Sequence, residues 1–198
     1  NAIITYLFNI IMMQLVGEHG VAAITILLYG QFLFNAFYLG FTIGISPIVG
    51  FQYGARDKQK LRNIYHTSFL FVAVSSVFMA VIAIVLSPTI VTIFTDDPAT
   101  YELAAAGFRL FAINFLFSGI SITSSGFFTA LSNGTISAVI SFCRTLGFIV
   151  LSLLILPKFL GITGAWIAIP VAEFCTLLVT GVMHFLYFWK PGIRNYLW

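Results

Sequence analysis

The chain is organised around residues 30–62, which read GQFLFNAFYLGFTIGISPIVGFQYGARDKQKLR. Winding this stretch as an α-helix, at about 100° per residue, places its polar and its small residues on opposite faces. The polar face carries Gln31, Asn35, Tyr38, Thr42 and Ser46. The opposite face carries Ala36, Gly40 and Gly44, a small-residue ridge that lets a neighbouring helix approach closely. Two interpretations fit the polar face: it lines a cavity between packed helices, or it only forms hydrogen bonds to them.

The composition indicates a membrane protein. Of the 198 residues, 60% are hydrophobic and 8% are charged, and the mean hydropathy is +1.05. A soluble domain needs a polar surface, so the lipid bilayer is the expected surrounding of this chain. The net charge of +3 is too small and too scattered to indicate a nucleic-acid partner. Cys143 and Cys175 lie within apolar runs, which argues against a disulfide framework or a metal pair.

Apolar runs of membrane-spanning length predict an all-α membrane protein, a six-transmembrane-helix bundle in which residues 1–198 form a single unit. The predicted helices lie at about 1–16, 21–47, 64–94, 99–131, 135–156 and 164–189. Pro47 is predicted to break or bend the second helix and Pro170 to bend the sixth, because proline lacks the backbone N–H. The chain opens inside an apolar run, so we expect it to be part of a longer protein.

Lysine and arginine are distributed unevenly between the two ends of this bundle. The 53–63 loop, the Ser132 turn and the C-terminal tail lie at one end and carry Arg56, Lys58, Lys60, Arg62, Lys190 and Arg194. The other end carries Lys158 alone, with Glu18, Asp96 and Asp97. The positive-inside rule therefore predicts a multi-pass protein of the cell membrane, with the 53–63 loop and the tail in the cytoplasm.

The fourth helix repeats the two-faced pattern of the second. Its polar face carries Asn114, Ser118, Ser121, Ser125 and Thr129, and its opposite face carries Gly119, Thr123, Gly126 and Ala130. The first helix has a weaker stripe of Asn1, Thr5 and Asn9. Hydroxyls can also bond to the carbonyls of their own helix, which is the structural alternative. We predict that helices one, two and four line a shared cavity through Thr5, Asn9, Gln31, Asn35, Tyr38, Thr42, Asn114, Ser118, Ser121 and Ser125.

Arg144 and Glu173 are charged residues inside the predicted fifth and sixth helices, and Arg144 shares a helix face with Ser137 and Ser141. They lie about 18 Å and 13 Å from the loop that joins these helices, so a long arginine side chain can reach the carboxylate. We predict an intramembrane ion pair, which either locks the two helices together or takes part in coupling or gating. His19, His66 and His184 do not cluster, and no spacing indicates a metal site or an activated nucleophile. The sequence therefore predicts neither an enzyme nor a bound cofactor.

Residues 44–56, which read GISPIVGFQYGAR, resemble the signature of the multidrug and toxic compound extrusion (MATE) family. Supporting stretches are residues 94–97, residues 141–144 and residues 156–173, which follow in family order. The resemblance is to the C-terminal six-helix lobe of a twelve-helix, pseudo-symmetric transporter, and most of all to its bacterial multidrug branch.

This resemblance implies secondary active multidrug efflux, in which organic cations are exported in exchange for Na⁺ or H⁺. It also implies a missing N-terminal six-helix lobe as partner, with the substrate cavity between the lobes. In one respect the chain differs from some branches, because helices one and two and residues 103–132 carry no Asp or Glu in the bilayer interior. A Na⁺ site of that kind is therefore not expected in this lobe. The coupling carboxylate lies in the other half of the transporter, or it is Glu173.

Two further functions compete with drug export. A lipid-linked sugar flippase of the same superfamily handles phosphates, and its cavity would be expected to carry several cations. The polar stripes here carry none. A non-transport membrane assembly partner would instead have every stripe residue satisfied by a neighbouring helix.

Overall fold

The computed structural model describes residues 2–189, and every regular element among them is helical. The helices are α1 (Ala2–Leu15), α2 (Glu18–Gly54), α3 (Lys58–Phe94), α4 (Pro98–Phe111), α5 (Phe115–Ala130), α6 (Gly134–Phe142) and α7 (Phe148–Trp189). A 3₁₀ turn, Ala112–Asn114, joins α4 to α5, and a π-helical turn, Cys143–Gly147, joins α6 to α7. Asn1 and the predicted cytoplasmic tail with Lys190 and Arg194 lie outside the described residues.

A break at Gly161 divides α7 into two antiparallel segments. Gly161 adopts φ 56° and ψ −133°, a region that glycine enters without steric cost. A straight helix would hold Arg144 and Glu173 about 43 Å apart, whereas their side chains lie 3.0 Å apart. A Cβ on Gly164 would collide with the Leu156 carbonyl, so the reversal also needs glycine there. The segments 148–160 and 162–189 therefore correspond to the second part of helix five and to helix six.

Within residues 2–189, four helical stretches are long and apolar enough to cross a membrane. They are Glu18–Gly54, Lys58–Phe94, Pro98–Ala130 and Gly134–Tyr187, the last of which turns back at Gly161. The shorter apolar helix α1 packs against α2 and α7. The predicted class, an all-α membrane bundle of six helical segments, is confirmed.

The sequence predicted that the second helix ends near Pro47, but the helix continues through this residue. It runs on to Gly54, and α3 begins at Lys58 rather than near residue 64. Asp57 caps α3 by accepting a hydrogen bond from the Lys60 backbone N–H at 3.0 Å. An apolar run marks only the lipid-facing part of a helix, so the polar turns that continue it are missed.

Two ends of the bundle are distinguished by their charges. The acidic end contains the turns at 16–17, 95–97 and Gly161, and the basic end contains the turns at 55–57 and 131–133. At the acidic end, Phe108 packs over Gly30 and Trp166 packs over Gly107, where a Cβ would be 2.6 Å and 2.8 Å from the rings. A second apolar cluster closes the basic end, with Val49, Leu61, Phe127, Phe128, Leu131, Ile140 and Tyr187. These contacts fix the positions of the helices along their axes, and so decide which polar residues of different helices lie side by side.

Candidate functional site in the helix bundle

The part of the α2 polar face that carries Tyr38 and Thr42 packs onto the glycine face of α5. Tyr38 is completely buried, and its hydroxyl lies 3.5 Å from the Phe115 carbonyl oxygen. The Thr42 hydroxyl donates to Thr123 Oγ1 at 3.4 Å, and the Thr42 methyl group fills the space that a Cβ on Gly126 would need. This part of the predicted cavity wall is a helix–helix interface within the lobe.

The small-residue ridge of α2 faces outward. Ala36, Gly40 and Gly44 are exposed, and a Cβ on either glycine would meet nothing within 4 Å. The expectation that this ridge holds a neighbouring helix of the same bundle is therefore wrong. Close approach requires glycine on only one of two helices. Because α5 supplies those glycines, α2 presents its larger polar side chains instead.

The polar face of α5 forms hydrogen bonds to α6. Ser125 Oγ lies 2.9 Å from Ser137 Oγ and 2.7 Å from Ser141 Oγ, and Thr129 Oγ1 lies 2.7 Å from Ser137 Oγ. The sequence placed Ser137 and Ser141 on the face of Arg144, but it did not predict that this face meets α5. The stripes of α2 and α5 therefore do not face one shared hollow along their whole length inside this lobe.

Nearer the acidic end, the side chains on the polar face of α5 are fully buried. Ser121 donates to the Phe117 carbonyl at 3.4 Å, and Asn114 Nδ2 donates to the Phe111 carbonyl at 2.6 Å. Asn114 Oδ1 and Ser118 Oγ have no hydrogen-bond partner among the described residues. Buried polar atoms of this kind are uncommon and indicate a place where water or a bound species is accommodated.

The predicted residues of α1 and the outer half of α2 are more accessible. Thr5 is exposed, whereas Asn9, Gln31 and Asn35 are half-buried. Asn9 Oδ1 and Asn35 Oδ1 are shielded from solvent and accept no hydrogen bond from residues 2–189. Each of the two helices therefore offers an amide oxygen whose bonding capacity the lobe itself does not use.

Members of the two stripes meet at the basic end. There a groove of about 500 Å³ lies between α2 and α5. It is lined by Thr42, Ile43, Ser46, Pro47, Gly126 and Thr129. Pro47, predicted as a bend, thus lies in the wall of a groove within a continuous helix.

Arg144 and Glu173 form a charge pair deep in the bundle. Arg144 Nε lies 3.0 Å from Glu173 Oε1, and the two side chains are 17% and 1% exposed. The Nε–H does not point at the carboxylate with hydrogen-bond geometry, and Glu173 Oε2 accepts no hydrogen bond from the described chain. The π-helical turn carries Arg144, while the buried Pro170 precedes Glu173 by about one turn.

A second ionic contact lies at the acidic end, where the sequence had shown only separate residues. His19 Nδ1 lies 2.9 Å from Asp97 Oδ2 and 3.1 Å from Thr100 Oγ1. Asp97 caps α4 by accepting hydrogen bonds from the Thr100 hydroxyl at 2.7 Å and its backbone N–H at 2.9 Å. These bonds, with a smaller contribution from His19, lower the pKa of Asp97 below its usual 3.8. The pairing arises because α2 and α4 begin at the same end.

The side chains that could bind a metal ion do not gather in one place. Within residues 2–189, no three His, Cys, Asp or Glu side chains lie close enough together to hold one. Cys143 and Cys175 are free thiols. In the described part of the chain, the buried polar groups are thus mainly hydroxyls and amides, together with the Arg144–Glu173 ion pair.

The sequence model of the MatE family matches residues 1–154, which is most of the chain. The chain belongs to the MatE family. Solved proteins that this MatE chain resembles are transporters of the MATE family.

Curated relatives of this MatE chain carry the name multidrug and toxin extrusion protein 1. The Homo sapiens and Pongo abelii proteins are each 27% identical to it over 143 residues, which are 70% of this chain and 24% of the relative. The chain therefore matches about a quarter of the length of these relatives.

Solved MATE structures share the fold. An outward-facing MATE family transporter of the MOP superfamily superposes with a TM-score of 0.85 at 20% identity, over 93% of this chain and 42% of that protein. A MOP superfamily transporter from Pyrococcus furiosus gives a TM-score of 0.84 at 19% identity, with the same coverage. A Vibrio cholerae MATE transporter in its bent form gives 0.83 at 18% identity. The MatE chain thus has the fold of rather less than half of each solved transporter.

Proposed function

We propose that this MatE chain is the C-terminal lobe of a secondary active multidrug exporter, which expels organic cations in exchange for Na⁺ or H⁺. The family, the names of the curated relatives and the twofold greater length of the solved relatives support this proposal. A second lobe of similar size would supply the other wall of the cavity. The lipid bilayer is the surrounding that the apolar helices require.

The observation that carries the proposal is the pair of unused amide oxygens, Asn9 Oδ1 on α1 and Asn35 Oδ1 on α2. Amide oxygens carry partial negative charge and suit a bound organic cation. On the side of α2 opposite its polar face, the outward ridge of Ala36, Gly40 and Gly44 leaves room for a second surface to approach. An assembly partner without transport activity would leave fewer such atoms unsatisfied.

The composition of the polar stripes argues against the lipid-linked sugar flippase. Recognition of a lipid phosphate uses Arg or Lys, often in pairs. The polar stripes of α1, α2 and α5 contain neither residue. Arg144, which lies close to the α5 stripe, is already paired with Glu173.

In the proposed orientation the basic end faces the cytoplasm of a cell-membrane protein. Its described cations are Arg56, Lys58, Lys60 and Arg62, all at the α2–α3 turn. Positively charged loops remain on the cytoplasmic side during insertion. The groove beside Thr42 and Thr129 then opens toward the compartment from which a drug is exported.

The test is export of ethidium, a fluorescent organic cation, by proteoliposomes that contain the full-length transporter with this lobe, under an imposed pH or Na⁺ gradient. Replacing Asn35→Ala is expected to raise the ethidium KM about fivefold, the value of one hydrogen-bond-sized contact. Ser75→Ala is the control, because the Ser75 hydroxyl is satisfied by the Val72 carbonyl of its own helix at 3.0 Å. Export under neither gradient, or an unchanged KM in Asn35→Ala, would contradict the proposal.

A further inference from the structure

We infer that Glu173 is the proton-carrying carboxylate of this lobe, and that the hydroxyls of Ser141, Ser125, Ser137 and Thr129 conduct its proton to the basic end. This inference rests on the proposed export function and identifies its coupling ion as H⁺. These four hydroxyl groups together form the hydroxyl chain.

Glu173 has the properties of a group that changes its protonation state. Its side chain is 1% exposed, in the middle of a helix that crosses the membrane. An ionised carboxylate in that position is costly, and such residues commonly mark proton relays. Arg144 offsets the charge at 3.0 Å, but neither carboxylate oxygen accepts an aligned hydrogen bond. A proton on Oε2 therefore displaces no existing bond.

Among the described helices that pack around Glu173, no other ionisable group is placed to carry this proton. Helices α5 and α6, which pack on α7, contain no ionisable side chain, and the π-helical turn contributes Arg144 and Cys143. The exposed Tyr6 of α1 lies on the outer surface of the lobe. The remaining groups on α4 and α7 are Tyr101, Glu102, Arg109, Lys158, Cys175, His184 and Tyr187. His184 lies about 16 Å farther along the helix, and Glu102 is exposed near the acidic end.

The hydroxyl chain is continuous at hydrogen-bond distance. Oxygen–oxygen distances are 2.7 Å from Ser141 to Ser125, 2.9 Å from Ser125 to Ser137 and 2.7 Å from Ser137 to Thr129. In each pair either hydroxyl can be the donor. Neighbouring hydroxyls that both donate and accept can pass a proton along the row.

The hydroxyl chain also has a consistent direction. Thr129 donates to the Ser125 carbonyl at 3.0 Å, so its oxygen is left to accept from Ser137. Ser125 then donates to Ser137, and Ser141 donates to Ser125. The O–H bonds of Ser141, Ser125 and Ser137 in this arrangement point toward the basic end, and the Thr129 O–H, which is bonded back to the Ser125 carbonyl, rotates toward the groove to release its proton. Thr129 is exposed and lies in the wall of the 500 Å³ groove, where the proton can leave to water.

Ser141 precedes Arg144, the ion-pair partner of Glu173, by about one helical turn, a rise of about 5 Å along the fifth helix. In the proposed path the proton crosses from Glu173 to Ser141 through water, which bridges polar groups that do not touch directly. The π-helical turn Cys143–Gly147 widens the helix at this level and provides room, as such turns often do at functional sites. In the proposed release, the Glu173 carboxylic acid gives its proton to this water, and the water gives one to Ser141. Each hydroxyl then gives its own proton to the next, so one H⁺ reaches the groove and Glu173 returns as the carboxylate beside Arg144.

The experiment uses proteoliposomes containing the full-length transporter, with ethidium as the transported probe. Replacing Glu173→Gln is expected to reduce pH-driven export to the background rate while equilibrium binding of ethidium is kept. The matched control is Glu102→Gln, which removes an exposed carboxylate of the same lobe. Ser125→Ala interrupts the hydroxyl chain and leaves the ion pair intact. It is expected to slow pH-driven export about tenfold, a modest share of what a positioned proton-transfer group contributes, whereas Ser75→Ala should not.

A second variant separates the role of Glu173 from folding. Glu173→Gln leaves Arg144 buried without its counter-charge, which is destabilising, so Arg144→Gln with Glu173→Gln is tested as well. This neutral pair is expected to bind ethidium and to lack pH-driven export. Wild-type export rates in either Glu173 variant, or in Ser125→Ala, would overturn the inference. Export by the unmodified protein under a Na⁺ gradient alone would overturn the inference and leave the export function standing, whereas export under neither gradient would refute the function itself.

Discussion

Tyr38 occupies the space that Gly119 leaves open on α5, where a Cβ would come within 2.6 Å of the Tyr38 ring carbon Cε1. Ser76 of α3 reaches the same glycine at the same distance. Three helices therefore meet at one residue without a side chain. The orientation of α2 within the bundle depends on this contact, because any larger residue on α5 would push the Tyr38 face outward.

Gly119→Ala is expected to destabilise the protein by about 1–3 kcal/mol, the usual cost of overpacking a filled core. The matched control is Gly181→Ala on α7, where a Cβ meets nothing within 4 Å. Alanine there should be neutral or should stabilise the helix by up to about 1 kcal/mol. Thermal unfolding of the detergent-solubilised protein measures both changes. Equal melting temperatures for the two variants would mean that the α2–α5 contact is not tight.

Arg144→Met is expected to lower the free energy of unfolding by about 3–5 kcal/mol, because Glu173 would be left as an uncompensated buried charge. Adding Glu173→Met should recover most of this loss, since the double variant buries no charge. Lys60→Met is the control, because Lys60 pairs with Asp57 at 3.1 Å on the surface with side chains 67% and 32% exposed. Its effect on the melting temperature should be close to zero. A double variant no more stable than Arg144→Met would show that the pair is not the source of the loss.

Gly161→Ala is expected to cost about 1–3 kcal/mol through the backbone alone. Gly161 has φ 56° and ψ −133°, and a Cβ there meets no atom within 4 Å, so no steric contact contributes. Ser132→Gly is the opposite comparison, since Ser132 already adopts φ 58°. Glycine should relieve that strain, and the net change should stay within about 0.5 kcal/mol. Chemical unfolding of both variants checks the difference, and an unaffected Gly161→Ala would mean that the hairpin can turn in another way.

Asp97→Ala is expected to destabilise the start of α4 in a pH-dependent manner. Hydrogen bonds from Thr100 lower the pKa of Asp97 in the folded state below the 3.8 of the unfolded chain. The contribution of Asp97 is therefore fully present above pH 3.8 and is lost as the pH falls through the lowered pKa. The difference in melting temperature between wild type and variant should accordingly close in acid. Asp96→Ala, which removes an exposed carboxylate one residue before the cap, is the control and should change the melting temperature little.

Several features of the site could be predicted from residue spacing. Helix rise and the short connecting loop were enough to predict that Arg144 pairs with Glu173. Two antiparallel helices leave few other partners for two buried charges. The tight face of α5 at Gly119 and Gly126 was predicted from its small residues, and it is packed as expected. The outward position of Gly40 and Gly44 could not be predicted, because either helix of a pair can supply the glycines.

The hydroxyl chain shows the same limit. Ser125 and Ser137 each belong to a stripe visible in the sequence, but the 2.9 Å contact between them depends on how α5 and α6 are rotated about their axes. Periodicity gives the angle between residues of one helix and not the rotation of that helix relative to its neighbour. The contact of His19 with Asp97 was missed for this reason too, because nothing local in the chain relates the two residues.

Residue order and composition alone were enough to predict a bundle of membrane-crossing helices, the polar faces of those helices, and the two charges that lie inside. These properties follow from composition and from the fixed geometry of one helix. The packing of the folded bundle was needed to see that α5 partly closes the α2 stripe, while the α5 stripe joins α6 beside Arg144 and Glu173. The choice depends on which glycines accept which side chains, as with Thr42 against Gly126, and packing of this kind is set between helices rather than within them.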